Sequence, residues 1–183
     1  MTMTMKVNVR VALLSLIMLA MLAAAPQNTL VAAAAAAAKD TGPKVDLILG
    51  DTGPREVEDT TQRAIVRDYA AAWKTMATAL ASNRTDGLDP SFVGIARDQL
   101  AARIDGQKKN GLRTRITDRG HKLEAIFYSP EGSALELHDA AQVQLETLDG
   151  DTVLHSEQVT LHYVILMTVA EDHWKVRLLQ EVQ

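Results

Sequence analysis

The side chains best suited to proton transfer in this chain are its five histidines, because an imidazole titrates near neutrality and serves as base, acid or metal ligand. His121 falls in a predicted turn, His138 on a predicted strand, His155 and His162 on the next strand, and His173 just before the last. The odd spacing of His155 and His162 places them on opposite strand faces, and no pair has the helical spacing of a zinc motif, so the sequence supports no metal site. His138-Asp139 is the most suggestive dipeptide: a carboxylate beside an imidazole can orient it and raise its basicity. If the chain is an enzyme, His138 or Asp139 is the base, aimed inward by a local bulge. The competing reading makes Glu136, His138, Gln142, Gln144 and Glu146 the solvated side of a half-buried strand.

Other chemistries lack their residues. The absence of cysteine excludes disulfides, thiolate nucleophiles and cysteine-based zinc sites. Ser129, Ser133 and Ser156 lack the glycine-flanked elbow of a hydrolase nucleophile, and no glycine-rich phosphate loop occurs. Asp118, Glu124 and Asp172 read as strand-end or solvated positions, so no carboxyl group buried among apolar residues can be named. No cofactor is expected. Apolar binding has more material: Tyr69 and Trp73, four apart on one helix face, can roof a pocket whose sheet wall includes Tyr128, Tyr163 and Trp174. The same five aromatic residues serve equally well as core packing between helix and sheet.

The elements that must hold these residues follow from periodicity. Between Arg55 and Ser82, Ile65, Tyr69, Ala72, Trp73, Met76 and Leu80 recur every three or four residues, which predicts a long amphipathic helix with Pro54 in its first turn. Asp89-Pro90 opens a second helix over Ser91 to Lys109, with Phe92, Ile95, Ala96, Leu100 and Ile104 on one face, and Asn110-Gly111 stops it. After Gly111 the period becomes alternating. Five strands are predicted: Leu112 to Asp118, Lys122 to Ser129, Ala134 to Leu148, Thr152 to Val169 and Trp174 to Val182, joined as an antiparallel meander with a turn at Arg119-Gly120. The apolar positions pass from Leu135 and Leu137 to Ala141, Val143 and Leu145, which predicts a bulge near Asp139-Ala140 and a bent sheet. The fold class is therefore α+β, a long helix and a second helix on a curved sheet shaped as a cone.

Charge and targeting signals bound the setting. Residues 1–38 carry Lys6 and Arg10 and no acid, with an unbroken apolar run from Val11 to Ala25, the pattern of a signal peptide and too short to span hydrocarbon comfortably. Cleavage fits the small residues at Ala23 to Ala25 or in the Ala32 to Ala38 run; retention would make an anchored envelope protein, the only route to a membrane. Residues 39–54, rich in Gly and Pro, read as linker, and 55–183 as one domain. With Lys6 and Arg10 set aside, acidic residues outnumber basic ones, which disfavours nucleic acid.

The opening helix written AIVRDYAAAWKTMATAL and the last strand written HWKVRLL resemble the nuclear transport factor two-like, or cystatin-like cone, superfamily over about Glu56 to Val182. The resemblance implies an aromatic helix, carrying Tyr69 and Trp73, in the mouth of a curved sheet closed by Trp174, Lys175 and Val176. It spans cyclases, isomerases and dehydratases as well as non-catalytic domains, so fold does not choose among them. The expectation is an exported, non-catalytic domain that binds a small apolar ligand or a protein partner, with a homodimer as one assembly. The alternatives are a lyase, isomerase or cyclase acting in the cone, and an anchored subunit of an envelope complex.

Overall fold

The computed structural model describes residues 42–182, and the leader expected at 1–38 lies outside them. The order is β1 (Val45–Leu49), α1 (Asp59–Ser82), α2 (Gly94–Lys109), β2 (Leu112–Tyr128), β3 (Ala134–Asp149), β4 (Thr152–Ala170) and β5 (His173–Val182). Two helices pack on one curved, unclosed sheet of order β1-β2-β3-β4-β5. The helical period breaks at Gly111, which takes a φ of 70° open to glycine, and alternation follows directly. No helix among the described residues is long and apolar enough to cross a membrane.

α1 buries Ile65, Tyr69, Ala72, Trp73, Met76 and Leu80, the face that the spacing predicts. It starts at Asp59 rather than near Pro54, because Glu58 is extended (φ −66°, ψ 151°) and forms the N-cap, with its carboxylate paired to Arg55 at 2.6 Å. Asn83 ends it in the left-handed region (φ 54°), its N–H returning to the Ala79 carbonyl. α2 begins at Gly94, not Ser91. The residues before it are drawn into the sheet: Val176 N–H donates to the Ser91 carbonyl at 2.9 Å and Val93 N–H to the Val176 carbonyl at 3.0 Å. Ala96, Leu100 and Ile104 are buried, whereas Ile95 is 57% exposed and leaves the expected face.

Three features of the sheet differ from the sequence reading. The stretch read as linker carries β1, which joins parallel to β2 with Val45 opposite His121 and Leu47 opposite Leu123, so the sheet is mixed. A short alternating segment, VDLIL, is hard to see among Gly and Pro but needs only one neighbour's free edge. Arg119-Gly120 is not a turn. β2 runs unbroken across it with Arg119 as an extra residue, since Asp118 faces Val143 and Gly120 faces Gln142. Gly120, at φ 144°, accommodates this bulge. No bulge occurs at Asp139-Ala140: β3 pairs in uninterrupted register there, and Leu135, Leu137, Asp139, Ala141 and Val143 all face inward.

Candidate functional site

The uninterrupted β3 alternation sends Asp139 into the core and leaves His138 outside. Asp139 is 3% exposed, while the His138 side chain stands on the outer face, 3.8 Å from Glu136. Adjacent strand residues point to opposite faces, so the dipeptide does not act as a pair. The imidazole that meets Asp139 belongs to His121, and the Arg119 bulge is what delivers it. Residues three apart on a regular strand face opposite ways. One inserted residue returns Asp118 and His121 to the same face, opposite the inward-facing Val143 and Ala141.

The result is a polar cluster set in an apolar interior and reaching solvent at Asp118. His121 Nε2 lies 2.6 Å from Asp118 Oδ2 and His121 Nδ1 lies 2.7 Å from Asp139 Oδ2. Tyr69 of α1 donates its hydroxyl to the same Asp139 Oδ2 at 2.8 Å. The side chains of His121 and Asp139 are wholly buried and that of Asp118 is 21% exposed. Burial alone would push the His121 pKa down, but the bonds to Asp118 and Asp139 outweigh it and raise the pKa to about 9. At neutral pH both ring nitrogens therefore carry protons and donate to the two carboxylates. Burial, and then the nearby Asp139 charge, push the Tyr69 phenol well above its usual range, so it stays a donor. Asp139 Oδ1 is buried without a hydrogen-bond partner.

The five predicted pocket residues are all buried, and they form two groups. Tyr69 and Trp73 surround His121: the Trp73 ring lies 4.4 Å and the Tyr69 ring 5.7 Å from the imidazole, centroid to centroid. Tyr163 packs on Trp73 at 5.8 Å, and burial first, with Glu181 second, raises its phenol to about 12. Tyr128 and Trp174 pair with each other at 6.2 Å, and Arg55 lies over the Tyr128 ring. Trp174 is tied to α1 through its backbone N–H, which donates to Oδ2 of buried Asp68 at 2.9 Å. These aromatics therefore fill space between helix and sheet.

An open cleft of about 600 Å³ lies elsewhere, at the start of α2, lined by Asp89, Phe92, Arg97, Glu171, His173 and Lys175 among others. Its charges are matched internally: Arg97 to Asp89 at 2.9 Å and Lys175 to Glu171 at 2.8 Å. Among the described residues no group of three or more His, Asp or Glu side chains is arranged to hold a metal ion. Both His121 nitrogens already serve carboxylates as donors.

The cluster went unseen in the sequence because His121 and Asp118 sit on either side of Arg119-Gly120, where a turn was expected. A usable signal exists in β3. Asp139 holds an odd-numbered place among Leu135, Leu137, Ala141, Val143 and Leu145, which is the core register.

No protein-family model matches this sequence, and no curated protein matches it. Solved structures do. The intermembrane space region of chloroplast protein ARC6 is 15% identical with a TM-score of 0.59, the match covering 70% of this chain and 98% of that one. A scytalone dehydratase-like protein of Novosphingobium aromaticivorans is 14% identical, TM-score 0.46, over 68% of this chain and 85% of that one. A nuclear transport factor two-like protein of unknown function from Shewanella oneidensis is 12% identical, TM-score 0.40, over 64% and 98%. The neighbours are nuclear transport factor two-like and cystatin-like fold proteins, and at these identities the likeness concerns fold.

Proposed function

We propose that this chain is an exported, non-catalytic domain that binds a protein partner on the outer face of its sheet. One observation carries the reading. Three ionisable groups of the cone, His121, Asp139 and Tyr69, are sealed in the core and joined through Asp139 beneath the Trp73 ring, and Asp118 is the member of the cluster that reaches solvent. A general acid or base must come within hydrogen-bond reach of a substrate, and His121 and Asp139 offer no exposed side-chain surface to one. The same packing argues against a small apolar ligand between Trp73 and Tyr163.

The outer face supports a protein partner. Strand register places Val164 and Leu166 of β4, Leu178 of β5 and Phe127 of β2 on the side away from the helices, half-buried or exposed, with Phe127 at 41%. Val164, Leu166 and Leu178 adjoin one another, Glu136 lies between Leu166 and Phe127, and Glu124 and His138 border them, the mixed apolar and polar composition of an interaction surface. Export is supported by Lys6, Arg10 and the Val11 to Ala25 run, and the ARC6 neighbour is itself an intermembrane space region.

The test is Leu166→Glu combined with Phe127→Glu in the full chain, with partner capture by cross-linking in the native envelope. The expected result is loss of the cross-linked partner at unchanged far-ultraviolet dichroism. Turnover of a carbonyl substrate that Asp139→Asn abolishes, with Leu166→Glu inert, contradicts the proposal and returns the domain to the lyase or isomerase class. The orphaned Asp139 Oδ1 is the one observation favouring that second reading.

A further inference from the structure

β5 pairs with β4 only from His162 onward, so residues 152–161 of β4 present a bare edge among the described residues. This edge is unlike the matching stretch of β2 on the other side. There Asn83 Nδ2 donates to the Leu112 carbonyl, the Thr114 hydroxyl bonds Gln107, and Arg113, Arg115 and Arg119 stand along the strand. Lys, Arg and Pro are the usual means of blunting an edge, and residues 152–161 contain none of them. Instead Val153 is 43% exposed and Leu154 58%.

We propose that this edge pairs with the same edge of a second copy, antiparallel about a two-fold axis through Ser156. The register follows from backbone parity and charge. Val169 N–H donates to the Ser133 carbonyl, and β3·β4 pairing continues without shift from Thr168 to His155. Odd-numbered β4 residues therefore bond to β3, and Ser156, Gln158 and Thr160 turn their N–H and C=O groups outward. In an antiparallel pair, opposed residues share bonding parity, so only registers that set even against even are open. A two-fold at residue 155 would oppose His155 to His155, and one at 157 would oppose Glu157 to Glu157. A two-fold at Ser156 sets His155 of each copy across from Glu157 of the other, twice. An imidazole directly across from a carboxylate can donate to it and stabilises such a pair, whereas carboxylate against carboxylate destabilises it. The extra residue Leu154, where β4 bulges against Thr147 and Leu148, ends the regular segment and keeps the pairing short. An isologous contact closes on itself, which keeps a bare edge from propagating into fibres. The inference is independent of the outer-face partner, which involves other residues.

Because the chain has no cysteine, disulfide capture has no background. Ser156→Cys in the purified full chain in mild detergent should oxidise to a covalent dimer at least about tenfold faster than His155→Cys or Gln158→Cys, since only residue 156 meets itself. Glu157→Lys should weaken the dimer in sedimentation, and the double change His155→Glu with Glu157→Lys should restore it. Ser156→Pro, which removes an outward N–H and no bond to β3, should leave a folded monomer. Equal cross-linking rates at 155, 156 and 158, a full chain monomeric up to about 100 µM, or a dimer indifferent to the charge pair would overturn the proposal; an extended foreign peptide on this edge would appear as the second of these together with strand-peptide binding.

Discussion

The middle of the sheet and the β3–β4 arm are built from the same long strands, yet they treat polar groups in opposite ways. Around Asp139 the strands are covered by α1, and the polar side chains there bond to one another, with Asp139 Oδ1 left over. Along residues 152–158 of β4 every residue is exposed, and polar groups are left to solvent or to another chain. The difference shows that the location of titratable groups is a poor guide to chemistry. The histidine most perturbed electrostatically, His121, serves as an internal clamp joining β2 to β3, while His155, in the open, stands where a second molecule can reach it.

That contrast is sharpest under mutation. Asp139→Ala strands the Tyr69 hydroxyl and leaves the buried His121 charge with Asp118 alone. The expected loss is about 3–5 kcal/mol of unfolding free energy, read by denaturant titration. Leu154→Ser on the arm should change stability by less than about 0.5 kcal/mol in monomer at low concentration. Comparable effects at the two positions would erase the distinction between clamp and arm.

The legible part of the fold was the part with a sustained period. α1 announces itself through Ile65, Tyr69, Trp73, Met76 and Leu80, and the β3 to β5 alternation through residues such as Leu135, Leu137 and Val143. β1 was hidden because five residues give too few repeats to stand out from Gly- and Pro-rich neighbours. The candidate site was half legible. Asp139 was singled out, but with His138, its sequence neighbour, whereas its partner His121 reaches it through a bulge at Arg119 that reverses strand parity. Local spacing reports which residues share a face only while the strand stays regular, and this cluster depends on a place where β2 does not.

The most direct test of the sealed clamp is a titration of His121 by ring nitrogen NMR alongside stability measured across the same pH range. His121's folded pKa lies above its unfolded value, so its stabilisation is complete below about pH 6.5 and is lost as pH rises through about 9. The loss should be on the order of 3 kcal/mol and absent in His121→Gln. Both ring nitrogens should stay protonated through neutrality, with slow proton exchange. A His121 that titrates near 6.5 with rapid solvent exchange, and stability flat from pH 6.5 to 9, would contradict the account and reopen the cone as a site of proton transfer.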